Sequence, residues 1–202
     1  MNKKLIVLFL VTLSCATQAT LAALGHFLHL AAFYGNAELL QTLVNKQIYN
    51  IDAPDENGLT PLHYAAFKGY TKCVQILLSN KAYVHALGQS ESTPLHYAAH
   101  NGHIDCVKAL IQYGVAVDLQ DAKLWTPLHH AAHWGHLECV QYLVEHGNAN
   151  IYAKTKKGKT PIDVAREIFK PTRLAKIKTI HYLETIEQVR QQTQELMNID
   201  IN

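Results

Sequence analysis

The sequence predicts an all-α repeat solenoid, in which short helical units stack side by side. A six-residue phrase recurs along the chain at steps of 33, 33 and 34 residues, beginning at Thr60, Thr93, Thr126 and Thr160. Each phrase is followed by a narrow apolar stripe at helical spacing, and one such stripe consists of Cys106, Val107, Leu110 and Ile111. A fixed period of this length indicates a stack of units, because none of them can bury its apolar face alone.

Residues 1–19 precede the repeats and have the composition of an export signal. Two lysines near the start supply positive charge, residues 5–13 form an apolar core, and small residues lead up to Ala19. The apolar run is shorter than the roughly 20 residues that a membrane span requires. A buried first helix of the array fits the paired lysines less well. We therefore expect an exported protein, periplasmic or secreted, with cleavage after Ala19 or Ala22, and the short lysine-led signal favours a bacterial source.

Local chemistry explains each unit as two short helices. Thr60 can cap a helix start with its side-chain oxygen, and Pro61 suits the first helical position, where no backbone N–H is needed. Ala65 and Ala66 are small enough to let neighbouring helices approach closely. Gly69 follows where the helix should end. The apolar stripe then forms the second helix of the pair.

These residues resemble the ankyrin repeat. The resemblance rests on Thr-Pro-Leu-His, the Ala-Ala pair, Gly-His before the second helix and the period, and a worn first copy occupies residues 28–32. It implies stacked helix–turn–helix units joined by β-hairpin turns. It covers residues 24–190 as five repeats, at 24–54, 55–87, 88–120, 121–154 and 155–190.

The chain departs from this family pattern at two kinds of position. The family favours Gly in the turn, as at Gly58 and Gly158, but the third and fourth repeats carry Glu91 and Leu124 there. Extra residues near Ile48 and Asn148 predict distorted junctions.

The C-terminal region reads as a helical cap followed by a tail. After Pro171, apolar residues fall at every third position from Leu174 to Val189, which predicts one long helix whose early part docks on the last repeat. Residues 191–202 form the C-terminal tail in this reading.

Three cysteines, Cys73, Cys106 and Cys139, occupy the same position in successive second helices. Adjacent helices pack about 8–10 Å apart, which exceeds the roughly 7 Å limit between the Cα atoms of a disulfide. We expect free thiols that serve as small core residues.

Positive charge is concentrated near the C-terminus, although the formal net charge is only +2. Residues 154–178 contain Lys154, Lys156, Lys157, Lys159, Arg166, Lys170, Arg173, Lys176 and Lys178. One reading is the solvated polar end that a terminal repeat needs. The other is a contact surface for anionic lipid, nucleic acid or an acidic partner. Nucleic acid is the least favoured of these, because no aromatic residues alternate with the lysines.

Residues 153–160 match a relaxed phosphate-binding loop, with Ala in place of the first Gly. A working loop needs a preceding strand and glycine freedom so that backbone N–H groups can wrap phosphate. Gly158 and Thr160 are already explained by the repeat register. A nucleotide-dependent switch or enzyme is thus the weaker alternative, and we expect no enzymatic activity and no cofactor.

Two histidine pairs, His96/His100 and His129/His133, have a spacing that can chelate a metal. One member of each pair belongs to the repeat phrase, and no carboxylate or cysteine completes a site. We expect no dedicated metal site.

The resemblance implies that partners are contacted by the turn tips and by the two residues after each Ala-Ala pair, which line a concave face. Carried onto this chain, the candidate partner-binding residues are Phe33, Tyr34, Phe67, Lys68, His100, Asn101, Trp125, His133, Trp134, Lys156 and Lys157. Both tryptophans fall in the fourth repeat, and Trp is enriched at interface hot spots. Alternatively, a tryptophan folds over a neighbouring turn as satellite core. We expect a module that binds an unidentified protein partner through the concave face.

Overall fold

The computed structural model describes residues 18–47, 50–167 and 173–199. The expected export signal lies outside the described residues except for Gln18 and Ala19, and so do Ile48 and the last three residues of the tail. Within the described ranges, no helix is both long enough and apolar enough to cross a membrane.

The described residues form five pairs of helices, as an all-α solenoid requires. The first helices of the pairs are α1 (Gln18–Phe33), α3 (Pro61–Lys68), α5 (Pro94–Asn101), α7 (Pro127–Trp134) and α9 (Pro161–Arg166). The second helices are α2 (Ala37–Asn45), α4 (Thr71–Ser79), α6 (Ile104–Gln112), α8 (Leu137–Glu145) and α10 (Arg173–Ile199). Each first helix packs against the first helix of the next pair, and the second helices do the same.

The turns between the pairs project from the stack without forming strands in the described ranges. In the second repeat the turn is closed by bonds from the amide of Asp55 to the carbonyl of Leu59 and from the amide of Gly58 to the carbonyl of Asp55. Neighbouring turns are also bonded to each other, since the amide of Lys156 donates to the carbonyl of Lys123 at 3.1 Å. The hairpin turns that the resemblance implies are therefore present as linked turns rather than as a sheet.

The first helices begin and end as their sequence predicts. In the fourth repeat, the Thr126 hydroxyl accepts from the amide of His129, and Pro127 occupies the first helical position. Gly135 ends the helix with φ 76°, a left-handed conformation that suits glycine.

A buried histidine from each of the first four repeats joins that repeat to the next. Nε2 of the ring lies 3.0–3.1 Å from a carbonyl of the following turn in the pairs His29–Leu59, His63–Ser92, His96–Trp125 and His129–Lys159. In His96, Nδ1 accepts from the amide of Thr93 at 3.1 Å, so the proton sits on Nε2, which donates to the carbonyl. Burial lowers the pKa of His63 and of His96 to about 4, which keeps both rings neutral.

The glycines that end the first helices let the repeats approach closely. A Cβ on Gly102 would lie 2.4 Å from Nδ1 of His136, and one on Gly69 would lie 2.5 Å from Nδ1 of His103. At Gly135 the neighbour is the backbone of Lys176, so helix α10 takes the place that a histidine ring fills in earlier repeats.

The core contains the apolar positions expected from the period. Leu62, Leu95 and Leu128 are fully buried at equivalent positions of three phrases. Cys73, Cys106 and Cys139 are buried and free, as predicted.

Both turn positions that lack the expected glycine adopt its backbone conformation. Glu91 has φ 60° and Leu124 has φ 57°, close to the φ of 74° at Gly58 and 73° at Gly158. A side chain in this region costs roughly 1–2 kcal/mol. At the predicted distorted junction, Asn148 also has a positive φ, of 54°.

Helix α10 covers the last repeat with its first half and is exposed beyond it. Leu183 and Thr179 are buried, and the hydroxyl of Tyr182 donates to Oε1 of Glu145 at 2.9 Å. Residues 188–196 are all exposed. The helix continues through residue 190, which is the predicted boundary between the repeat domain and the C-terminal tail. This boundary stays a prediction.

Candidate interaction surface

The ends of the first helices carry a row of exposed aromatic side chains. Tyr34 is 70% exposed, Phe67 39% and Trp134 41%, and each lies within two residues after an Ala-Ala pair. Because the first helices pack in series, these side chains lie along one edge of the stack. The sequence analysis selected all three as partner-binding candidates.

In the first two repeats the candidate residues contact one another. The Phe33 ring meets Tyr34 edge-on at a centroid distance of 5.1 Å. Nζ of Lys68 lies 4.3 Å from the centroid of Phe33, within the range of a cation–π contact. In the third repeat, the Asn101 amide donates back to the carbonyl of Tyr97 at 2.9 Å, so it is tied to its own helix.

The fourth repeat and the end of α5 form a denser group, the imidazole–indole cluster, which comprises His100, Trp125, His130, His133 and Trp134. Trp125 lies 5.0 Å from His130 and 5.3 Å from His133, measured between ring centroids. Trp134 lies 5.2 Å from both His133 and His100. The two indoles thus flank His133.

The two tryptophans differ in exposure. Trp125 is half-buried against the imidazoles, and its carbonyl accepts a hydrogen bond from Nε2 of His96. This arrangement fits the alternative in which a tryptophan packs over a neighbouring turn. Trp134 is exposed, and its Nε1–H donates to Nδ1 of His100 at 3.1 Å. Trp134 is therefore the indole that a partner could reach most directly.

Asp121 contacts the cluster through His130, and neither residue is among the partner-binding candidates predicted from the sequence. Nε2 of His130 lies 3.0 Å from Oδ2 of Asp121, and Oδ1 of Asp121 accepts the amides of Lys123 and Trp125 at 2.8 and 2.9 Å. Two repeats earlier, Tyr64 donates to Asp55 in the same register. The sequence contains one sign of this pair, since His130 stands where the second and third repeats have Tyr64 and Tyr97.

Burial and neighbouring charges keep most of the cluster neutral. Burial, followed by the nearby charge of His130, lowers the pKa of His100 to about 4. Burial and the ammonium of Lys176 lower the pKa of His133. Burial opposes ionisation of Asp121, but the hydrogen bonds from His130, Trp125 and Lys123 outweigh it and hold its pKa below the ordinary value.

The concentration of basic residues near the C-terminus does not form one surface. Lys159 pairs with Glu167, Arg166 with Glu184, and Lys176 is buried with its Nζ donating to the carbonyl of Glu167. Lys170 and the Arg173 side chain lie outside the described parts of the structure, and Lys178 is exposed on α10. The basic residues left exposed at the turn tips are Lys123, Lys154, Lys156 and Lys157.

The turn at 153–160 lacks the free amides of a phosphate-binding loop. The amide of Gly158 donates to the carbonyl of Thr155, that of Lys159 to the hydroxyl of Thr155, and that of Thr160 to the carboxylate of Asp163. These groups are committed to the turn and to the cap of α9, which disfavours the nucleotide alternative.

The two histidine pairs do not open onto a metal site. Both ring nitrogens of His96 and of His129 are already hydrogen-bonded. In each ring Nε2 bonds to a carbonyl of the following turn, and Nδ1 accepts from the amide of the capping threonine in its own repeat. Among the residues that the structure describes, no group of three or more His, Cys, Asp or Glu side chains could hold a metal ion.

Comparison with known proteins supports the fold. The family model of ankyrin repeats matches three overlapping stretches, at residues 2–88, 28–121 and 81–155. The Ankyrin repeat, PH and SEC7 domain containing protein secG of Dictyostelium discoideum is 43% identical over 54 residues, 27% of this chain and 6% of that protein. Cortactin-binding protein 2 of Plecturocebus moloch is 41% identical over 68 residues, 34% of this chain and 4% of that protein.

A plant protein gives a similar match. Potassium channel AKT2/3 of Arabidopsis thaliana is 43% identical over 51 residues, 25% of this chain and 6% of that protein. The similarity to these three proteins thus covers a quarter to a third of this chain and 4–6% of each of them.

Proposed function

Because this chain belongs to the ankyrin repeat family, whose members generally serve as protein–protein interaction modules, we propose that it binds a protein partner through its concave face. The contacts come from the ends of the first helices and from the turn tips. Trp134 and the imidazole–indole cluster form the centre of this surface, and Tyr34 and Phe67 extend it toward the N-terminal repeats.

The observation that supports this proposal most directly is the exposed aromatic row. Large apolar side chains are exposed within two residues after the Ala-Ala pair in the first, second and fourth repeats. Interface hot spots are enriched in Trp and Tyr, and hot spots cluster where packing around them is dense. Around Trp134 the neighbouring imidazoles provide such packing without covering the indole.

Site-specific photo-crosslinking tests the proposed surface. A photoreactive phenylalanine analogue at Trp134 or at Phe67 should capture a discrete partner from the native host. The matched control is the same analogue at Tyr113, which is 47% exposed at the end of α6, outside the row. A partner captured from Tyr113 as efficiently as from both row positions would contradict the proposal.

A second contact involves anionic groups at the turn tips of the fourth and fifth repeats. The backbone bond between Lys156 and Lys123 holds these two turns side by side, and Lys157 is exposed next to them. An acidic segment of the partner, or an anionic lipid surface, would gain from these charges. Sedimentation with phosphatidylserine vesicles at low salt distinguishes a lipid surface from an acidic protein segment. A chain that binds the lipid surface sediments with the vesicles, whereas a chain that binds only an acidic protein segment stays in the supernatant.

Export to the periplasm or the medium remains part of the proposal. It rests on the lysines, apolar core and small residues of the first 19 positions, which also favour a bacterial source. Mass measurement of the protein recovered from its native host should give a start at Thr20 or Ala23. A soluble mature protein that retains Met1 would contradict it.

A further inference from the structure

The imidazole–indole cluster contains a set of hydrogen bonds that constrains where its protons lie. The Nε1–H of Trp134 donates to Nδ1 of His100 at 3.1 Å, and an indole nitrogen donates only. Nδ1 of His100 therefore carries no proton. Nδ1 of His130 lies 3.3 Å from that same nitrogen, so it has to be the donor in this contact.

The other ring nitrogen of His130 faces a buried carboxylate. Its Nε2 lies 3.0 Å from Oδ2 of Asp121, which is 5% exposed. An ionised carboxylate only accepts hydrogen bonds, so Nε2 of His130 also carries a proton. An imidazole that donates from both nitrogens is an imidazolium.

We propose that His130 is an imidazolium that links Asp121 to His100, and that this link positions Trp134 for the partner. The second half rests on the proposed function, because it assigns Trp134 to the partner surface. His130 and Asp121 act as positioning residues, since they reach the partner through His100 and Trp134.

The groups around His130 come from every element packed on it. They are His96 and His100 on α5, His129 and His133 on α7, and Asp121 in the turn. At the edges of the cluster lie His136, which precedes the first residue of α8, and Lys176 on α10. The pKa values of the five neighbouring imidazoles are all lowered, chiefly by burial. Their neutrality leaves the positive charge of the link on His130, beside Asp121.

Removal of the donor at Nδ1 of residue 130 should break this link. Without that N–H group, residue 130 donates nothing to Nδ1 of His100, which lies 3.3 Å from it in the wild type. The His100 ring then loses a contact that fixes its position, and the acceptor for the Trp134 indole is no longer held in place. Partner binding through Trp134 should therefore weaken in a variant that keeps the bond to Asp121 but lacks this donor.

The second repeat supplies a natural control that does not titrate. There Tyr64 donates to Asp55 at 2.5 Å, in the register of His130 and Asp121. Burial and the Asp55 carboxylate raise the pKa of Tyr64 to about 12, so this contact keeps its proton at neutral pH. The substitution His130→Tyr should therefore keep the bond to Asp121 while removing the donor to His100.

Nitrogen-15 NMR of the histidine rings tests the link in the free protein. Two-bond proton–nitrogen correlations are recorded at about pH 6, within the range over which imidazoles can carry a charge. Both ring nitrogens of His130 should be protonated, and Nδ1 of His100 should carry no proton. In His130→Tyr the resonance of the Trp134 indole N–H should move away from its wild-type position. His181→Gln, at an exposed site on α10, should leave that resonance unchanged.

The inference is overturned if one nitrogen of His130 is unprotonated in the folded protein. It is equally overturned if folded His130→Tyr leaves the Trp134 indole resonance at its wild-type position. These measurements need no partner. If they succeed while Trp134→Ala still binds the crosslinked partner normally, the proton link stands and the assignment of the partner surface fails.

Discussion

Protonation of the buried histidines should destabilise the fold in mild acid. His63 and His96 are 1% and 2% exposed, and burial lowers the pKa of each from 6.5 to about 4. In the unfolded chain these imidazoles take up protons as the pH falls through 6.5, whereas in the folded chain they stay neutral until the pH approaches 4. The stability that they provide is thus fully present above pH 6.5 and is lost progressively down to pH 4.

The size of this loss of stability follows from the difference between the pKa of 6.5 in the unfolded chain and the pKa of about 4 in the folded chain. One unit of pKa difference corresponds to about 1.4 kcal/mol. At about pH 5 each unfolded-state imidazole is almost fully protonated, so the cost is about 2 kcal/mol per residue. His63 and His96 together should lower the free energy of unfolding by about 4 kcal/mol between about pH 7.5 and about pH 5. This is a large share of the roughly 5–15 kcal/mol typical of a domain.

Urea unfolding followed by circular dichroism measures this difference. Because the pKa values of His100, His129, His133 and His136 are lowered as well, the wild type should lose at least about 4 kcal/mol between the two pH values. His96→Gln, although less stable at the higher pH, should lose about 2 kcal/mol less than the wild type. His181→Gln removes an exposed imidazole and should behave as the wild type does. A wild-type loss below about 1 kcal/mol, or an undiminished loss in His96→Gln, would refute the reasoning.

The remaining predictions concern packing and charge. Leu128→Ala should lower the free energy of unfolding by roughly 2–5 kcal/mol, since the side chain is fully buried; a change in thermal midpoint within error would place it outside the core. Gly102→Ala should destabilise the fold by at least about 1–2 kcal/mol, because its φ is 74° and the new Cβ would lie 2.4 Å from the His136 ring. Chemical denaturation measures this loss. Gly114→Ala is the control for backbone strain alone, since Gly114 also has a positive φ but has open space around it. Lys156→Ala/Lys157→Ala should weaken partner binding at low salt and have little effect at high salt, where charges are screened; an equal loss at both ionic strengths would contradict a charge contribution.

The repeat architecture was predictable because it depends on local signals. Thr-Pro starts α3, α5, α7 and α9, and Gly ends the first three of these helices. The period places Leu62, Leu95 and Leu128 in one core. These features need only backbone preferences and side-chain volume, which the sequence displays directly. The family model confirms the same assignment.

The charge of the C-terminal region was less predictable from sequence. Nine basic residues between 154 and 178 left two readings open, a solvated cap and a contact surface. In the structure, Lys159 and Arg166 pair with the carboxylates of Glu167 and Glu184, and Lys176 donates to the carbonyl of Glu167. Pairing of this kind depends on how α9 and α10 meet, and no local pattern encodes that.

The link from Asp121 to His100 through His130 was also invisible in the sequence. Its members come from a turn and from two helices, so their contacts depend on the stacking distance between repeats. The repeat register did place Trp134 at a candidate contact position. It could not tell that Trp125 would be half-buried while Trp134 stays exposed.

Measuring the affinity of the crosslinked partner for a double tryptophan variant tests the central claim most directly. Truncation of a hot-spot residue costs about 2 kcal/mol or more in binding. Trp125→Ala/Trp134→Ala should therefore stay folded by circular dichroism and bind at least about 30-fold more weakly, while Tyr113→Ala should bind as the wild type does. A folded double variant that binds with wild-type affinity would show that the partner does not use this surface.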